Sequence, residues 1–293
     1  MKVSIVIPSR NETFVVRMVE DLLLKATGDV EIIVVQDGPP YQEFPNDRRI
    51  VVVNSPQMGL KPCVNFGVGI ATGEYILKSD AHCMFGPGFD EILKADMEPN
   101  WVVVPRFYVL NAEEWKFQDD RFWDYFFLHC PFTDPKGFRF KAGGHWDRRT
   151  ADRLDISIDE TMQMHGSAWF MTKTYFTKTL GGMSSVGYDT FGMEPPEIGL
   201  KTWLGAWDGK LMVNKKTWYA HMHKGRERPR GYPLSRERIQ ASYDYAARYW
   251  IGNEWQERVH NLQWLVEKFW PVPTWPDNWR ELWHTWKVSQ DDK

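Results

Sequence analysis

The sequence predicts an α/β protein, a mostly parallel sheet flanked by helices, followed by a Trp-rich helical C-terminal extension. Three observations carry this. Strand-length apolar runs alternate with amphipathic helix-length runs through residues 1–105. The run Val30–Val35 is rich in Ile and Val, as in a strand buried on both faces. Beyond about residue 235 helix-spaced apolar positions take over, and eleven of the sixteen Trp lie after residue 200.

Taken in order, Lys2–Ile7 reads as the first strand and ends in Pro8-Ser9-Arg10-Asn11-Glu12. A helix through about Lys25 follows, with Val15, Met18, Val19, Leu22 and Leu23 on one face. Val30–Val35 ends in Gln36-Asp37-Gly38. Arg49–Asn54 is a third strand, and a helix runs from Gly59-Leu60-Lys61 through Ala71. Tyr75–Lys78 is the fourth strand and stops at Ser79-Asp80-Ala81-His82-Cys83. A helix near Phe89–Ala95 then leads to a fifth strand, Trp101–Pro105. Residues 106–160 lose the pattern and read as an aromatic, charged insertion covering part of the site. Met164–Met171 reads as a strand and Thr172 onward as a helix start ending at Gly181-Gly182. Pro195-Pro196-Glu197 opens a helix through about Ala206, since proline suits a first helical turn. Lys210–Trp218 is a strand delivering Tyr219-Ala220-His221-Met222-His223-Lys224 to its end. The expected division is a domain over 1–234, with halves 1–105 and 106–234, and an extension over 235–293.

A hydrophobic content of 43% with 26% charged residues is that of an ordinary globular protein. No apolar run reaches membrane-span length, and the N-terminus opens directly on a strand, so neither a span nor a signal peptide is expected. Cys63, Cys83 and Cys130 have neither zinc-type spacing nor an even count, which favours a reducing, cytoplasmic setting. Gly-x-Gly-x-x-Gly after the first strand and a Walker-type loop are both missing. That weighs against dinucleotide dehydrogenases and P-loop enzymes. Net charge is −3, yet residues 215–238 hold eight Lys or Arg against two Glu. Such a segment suits an anion, or is a solvated basic loop.

In parallel sheets ligands sit outside the carboxyl ends of the strands. Ser9, Arg10 and Glu12, then Asp37, then Asp80 and His82 gather there. Asp80 and His82, two residues apart at a strand end, can point the same way. A carboxylate and an imidazole together suit a divalent ion such as Mn²⁺. The pair alone also fits an ordinary turn with a surface histidine. His129 and His145 read as structural or exposed residues rather than ligands. The Trp-rich tail reads as core packing, or as a stacking platform for sugar or nucleic acid.

Several ordered motifs resemble glycosyltransferases of the GT-A fold, in the family-2 group and in particular its polypeptide N-acetylgalactosaminyltransferase-like branch. They are Val6-Ile7-Pro8-Ser9-Arg10-Asn11-Glu12, Asp37, Gly59-Leu60-Lys61-Pro62-Cys63-Val64-Asn65, Ala71-Thr72-Gly73-Glu74-Tyr75-Ile76 and Asp80-Ala81-His82-Cys83. Gly166–Phe170, Gly192-Met193-Glu194-Pro195-Pro196-Glu197 and Tyr219-Ala220-His221 with Lys224 and Arg226 continue the likeness. Together it covers roughly residues 2–105 and 160–235.

The resemblance implies a UDP-sugar-dependent glycosyltransferase. Asp80, His82 and His221 would hold Mn²⁺ or Mg²⁺, with His221 preferred over His223 by register with the family motif. Pro8, Arg10, Glu12, Asp37, Lys61, Asp80, Lys224 and Arg226 would bind the donor, and the basic loop would close on its diphosphate. Glu194 and Glu197 are the acceptor-side carboxylates, with Glu194 placed to orient or deprotonate a hydroxyl and Glu197 also fitting a helix-start acid. Two departures stand out. Pro195 occupies the position that is Asn in the branch or Asp in many inverting relatives, and the sequence ends in the Trp-rich tail where the branch has a lectin-like domain. Both weigh against polypeptide as the acceptor, and Pro195 together with the branch likeness leans towards retention of anomeric configuration. The acceptor then reads as a hydroxymethylpyrimidine of phage-type DNA, reached through segment 215–238 in a host cytoplasm, or as a glycan, lipid-linked sugar or protein. A non-catalytic binding module is a further alternative, opposed by the intact Asp80/His82/His221 set.

Overall fold

The computed structural model describes every residue except 136–138, 141–142, 185, 189–191, 225–229, 231–232, 234 and 292–293. The first half contains β1 (Val3–Ser9), α1 (Val15–Lys25), β2 (Val30–Asp37), β3 (Ile50–Ser55), α2 (Leu60–Ile70), β4 (Tyr75–Ser79), β5 (Cys83–Phe85), α3 (Phe89–Ala95), β6 (Trp101–Asn111) and β7 (Lys116–Trp123). Then come β8 (Phe126–Phe127), β9 (Gly144–His145), α4 (Asp147–Asp152), β10 (Ile158–Glu160), β11 (Ala168–Thr172), α5 (Glu194–Leu204) and β12 (Lys210–His221). Helices α6 (Arg236–Ile251), α7 (Leu262–Lys268) and α8 (Trp279–Asp291) follow.

The main sheet runs β10-β12-β6-β11-β4-β1-β2-β3, with β5 on β12 and β7 on β6. Strands β3, β2, β1 and β4 are parallel. Strand β11 is inserted antiparallel between β4 and β6. Right-handed crossovers place helices on both faces of such a sheet, and strand side chains alternate to meet them. Val3, Ile5 and Ile7 pack with Val15, Met18, Val19 and Leu22 of α1. Val6 faces the other way, onto Cys63, Val64 and Val68 of α2. At Gly67 a β-carbon would lie 2.4 Å from Val6 Cγ1, so the glycine permits the close approach of α2 to β1.

The charge of Glu31, near the start of β2, has a local cause. Glu31 accepts hydrogen bonds from Ser4 Oγ (2.5 Å), Thr72 N (2.6 Å) and Thr72 Oγ1 (2.9 Å), stitching the turn after α2 to the sheet. Burial opposes its ionisation, but these donors hold its carboxyl below the ordinary value.

Three sequence expectations are corrected here. The fifth strand runs on past Pro105 to Asn111 and pairs with β7, so the start of the expected insertion belongs to the sheet. The strand expected at Met164–Met171 begins at Ala168, and the turn after it, Tyr175–Thr179, is a single π-type turn. The strand expected at Lys210–Trp218 extends to His221. Its register shifts between Asn214 and Trp218, which pair with Pro105 and Arg106. Proline has no N–H to give the ladder, and bulges are where sheets tolerate it. The displaced strand then pairs with β5, setting His221 opposite Cys83.

Trp250, Trp255, Trp275, Trp279 and Trp283 are buried in the same cluster as Ile198, Leu200 and Trp203. Trp275 Nε1 donates to Leu128 O at 2.7 Å and Trp250 Nε1 to Tyr188 Oη at 2.8 Å. The extension's tryptophans are thus largely core. Among the described residues no helix is long and apolar enough to cross a membrane.

Candidate active site

The carboxyl ends of β1, β2 and β4, the start of α5 and the end of β12 surround one cleft of about 590 Å³. Pro8, Arg10, Glu12, Asp37, Asp80, His82, Glu194, His221 and Lys224 all line it. Two predicted residues do not join them. Lys61 and Glu197 are buried as an ion pair (2.7 Å), with Lys201 on the other Glu197 oxygen at 2.9 Å and Ser184 N donating at 2.6 Å. Lys61 also sits 3.5 Å from the Tyr188 ring centroid. Neither residue lines the cleft; Lys61, expected at the nucleoside, and Glu197, expected as an acceptor-side carboxylate, instead face each other in this buried pair. Arg226, with most of the expected closing loop, lies outside the described residues.

At the end of β2, Asp37 is fixed from several sides. Its carboxylate accepts from Met58 N (2.6 Å) and Gly59 N (3.1 Å) and pairs with Arg10, whose Nε also donates to Asp37 O at 3.0 Å. Gly59, at φ 93°, permits the turn that presents these amides.

The turn between β4 and β5 holds Asp80 and His82. Asp80 N donates to Ser167 O (2.7 Å), and Asp80 Oδ1 pairs with Lys78 Nζ (2.5 Å), itself bonded to Gly166 O (2.8 Å). Burial opposes ionisation of Asp80, but the Lys78 charge and the His221 hydrogen bond hold its carboxyl far below the usual range. His221 Nε2 lies 3.4 Å from Asp80 Oδ2 and 3.1 Å from His82 Nε2. His82 Nδ1 is 3.2 Å from Glu12 Oε2, while Glu12 Oε1 pairs with Lys224. Burial opposes ionisation of Glu12 too, yet the His82 bond and the Lys224 charge keep it below its ordinary value.

This arrangement fits a divalent cation. With Nδ1–H donating to Glu12, His82 presents its Nε2 lone pair towards His221 Nε2 and Asp80, so the three ligand atoms converge. One carboxylate oxygen and two imidazoles suit an ion of intermediate hardness such as Mn²⁺. A carboxylate behind a ligating histidine is the usual support of such a ligand.

Across the cleft, Glu194 begins α5 after Met193, which takes a left-handed φ of 67°. Glu194 is only 7% exposed, its Oε1 has no hydrogen-bond partner among the described residues, and burial raises its pKa. Pro195 packs on Gly166, where a β-carbon would lie 2.6 Å from Pro195 Cγ. Sequence reasoning missed Lys78, His165, Ser167 and Tyr243 on this cleft, whereas Arg238 belongs to the basic segment expected to meet an anion. Lys78 carried a signal, a charge inside an otherwise apolar buried strand. The others lie on segments whose route past the cleft has no local pattern.

Residues 4–153 match the family described as Glycosyl transferase family 2, half of the chain, and the chain belongs to that family. The sheet and its flanking helices are those of the GT-A fold. Among solved structures it is similar to GalNAc-T7 with UDP, GalNAc and Mn²⁺, at a TM-score of 0.66 and 17% identity over 92% of this chain and 56% of that one. It is also similar to S. aureus TarS 1–349 in complex with UDP-GlcNAc, at a TM-score of 0.53 and 13% identity over 83% and 64%. The chain thus spans less than two thirds of either.

Proposed function

We propose that this chain moves a sugar from a UDP-sugar to an acceptor hydroxyl, with Mn²⁺ held by Asp80, His82 and His221. The observation that carries this reading is the convergence of Asp80 Oδ2, His82 Nε2 and His221 Nε2, buttressed by Lys78 and Glu12. A neighbour of the same fold was solved with UDP and Mn²⁺ and another with UDP-GlcNAc, which supports the donor class. The metal would supply Lewis-acid neutralisation of the leaving diphosphate. The rest falls to the protein. Asp37 and Arg10 hold the nucleoside at the end of β2, and Lys224 adds a charge-assisted contact to the diphosphate. Glu194 accepts the acceptor's hydroxyl proton, a task that its raised pKa brings nearer to neutral pH.

For the acceptor, the reading as hydroxymethylpyrimidine DNA rests on Arg230 and Arg238, which line the cleft. Other reasons for it fall away. Lys215 is buried near Asp124 (3.9 Å), Lys216 pairs with Asp96 (2.8 Å), and the tail tryptophans named above are buried. A glycan, lipid-linked sugar or protein hydroxyl meets the same Glu194. The deciding experiment incubates the chain with Mn²⁺, labelled UDP-sugars, and a panel of hydroxymethylated DNA, glycans and peptides. Manganese-dependent label on one class identifies the acceptor. No transfer and no donor hydrolysis with any UDP-sugar would overturn the proposal.

A further inference from the structure

Histidines outside the expected ligand set crowd the same end of the cleft. His165, His221 and His223 each present a nitrogen within 4.8 Å of the others. The rings of His165 and His223 lie 5.1 and 5.2 Å from that of His221. We propose that these three residues form a second metal site, of zinc type, that competes with the Asp80/His82/His221 set for His221.

Two further features support it. His165 Nδ1 lies 2.7 Å from Ser167 Oγ, which also meets Tyr219 Oη at 3.1 Å; with Nδ1–H donating to Ser167 Oγ, His165 Nε2 keeps its lone pair for a metal. A hydrogen bond behind the imidazole is the support that zinc-ligating histidines have. The second feature is His221 itself, whose Nδ1 is buried without a hydrogen-bond partner among the described residues. If Nε2 binds a metal, Nδ1 must carry a buried proton with no acceptor, which costs free energy. If Nδ1 binds instead, Nε2–H faces Asp80 Oδ2 at 3.4 Å, a carboxylate–histidine–metal arrangement.

The chemistry separates the two sets. Three imidazoles with an open fourth position suit Zn²⁺ and disfavour Mn²⁺, whereas the set with a carboxylate accepts either ion, so the variants below tell the sites apart. Zn–N bonds of about 2.1 Å put tetrahedral nitrogens roughly 3.4 Å apart, so small side-chain rotations close the set. His223 is exposed and gives the ion an entry path. A neutral imidazole has one lone pair, so His221 serves one set at a time, and zinc antagonises manganese. That competition rests on the function proposed above; the zinc site does not.

The test uses the full chain stripped of metal by chelation. Co²⁺ is titrated in as a visible probe of tetrahedral coordination, then Zn²⁺, while Mn²⁺ binding is followed by the spin resonance of the free ion. Expected are tetrahedral Co²⁺ bands, bleached by Zn²⁺, and release of bound Mn²⁺ as Zn²⁺ is added. His165→Ala and His223→Ala should each weaken Zn²⁺ binding by more than about 100-fold, beyond the loss of a supporting contact, and leave Mn²⁺ bound. His82→Ala should do the reverse. The exposed His223 gives a variant that keeps the fold should His165→Ala disturb it. Tetrahedral bands surviving both His165→Ala and His223→Ala, or only octahedral Co²⁺ in the unaltered chain, would overturn the site. Tetrahedral Co²⁺ dependent on His223 with no Mn²⁺ binding at all would uphold it and sink the manganese reading instead.

Discussion

The family resemblance places Glu12 among the donor-binding residues; in the structure it stands behind His82, one of the proposed metal ligands. Its Oε2 meets His82 Nδ1 at 3.2 Å and its Oε1 pairs with Lys224, so one carboxylate would orient a proposed metal ligand and hold the cation proposed to meet the diphosphate. Glu12→Gln keeps an oxygen for His82 but removes the charge; Glu12→Ala removes both. Loss of such a supporting carboxylate costs about 10–100-fold in metal affinity, or roughly 1.4–2.8 kcal/mol. Glu12→Gln should fall near the lower bound and Glu12→Ala near the upper. The assay is Mn²⁺ titration followed by the free ion's spin resonance, with circular dichroism confirming the fold. An affinity in Glu12→Ala within about twofold of the unaltered chain would refute the chain of contacts, since the expected loss is several times larger.

Other outcomes follow from the same geometry. Glu194→Gln should lower transfer by about 10²–10⁴-fold with donor binding retained, whereas Glu197→Gln, in the buried pair with Lys61, should lower thermal stability. Equal transfer rates for Glu194→Gln and the unaltered chain would remove its assigned role. Gly67→Ala gains about 1 kcal/mol of helix propensity but meets the fully buried Val6, at a cost of roughly 1–3 kcal/mol, so it should be net destabilising in a denaturant melt. Burial pushes His221 down to about 3 from 6.5. As pH falls below 6.5 the unfolded chain binds this proton first, so the metal-free protein should lose stability from there towards pH 3. A denaturant midpoint unchanged between pH 7 and pH 5 would contradict that direction.

Much of the first hundred residues was legible because its signals are local. Apolar periodicity placed β1, α1, β2, α2, β4 and α3 near their observed bounds, and strand alternation put Asp80 and His82 at one strand end. What escaped depends on distant partners. Nothing near Glu197 in the sequence announces Lys61, 136 positions away, and an acid at a helix start reads equally as a dipole partner or a catalyst. The bulge at Lys215–Thr217 sets the course of β12 into the site, but its cause is a proline on the neighbouring strand. It also sends Lys215 and Lys216 away from the cleft, so charges clustered in sequence are divided in space. The tail's tryptophans were ambiguous for a similar reason: composition gives a ring's presence, and only packing tells a core ring from a platform.

The most direct test of the central claim is UDP binding to the chain by calorimetry, with and without Mn²⁺, in the unaltered protein and in His82→Ala. The account predicts that Mn²⁺ strengthens UDP binding markedly and that His82→Ala abolishes the enhancement while leaving the metal-free affinity, set by Asp37 and Arg10, in place. Equal UDP affinity with and without Mn²⁺, or an undiminished enhancement in His82→Ala, would contradict it.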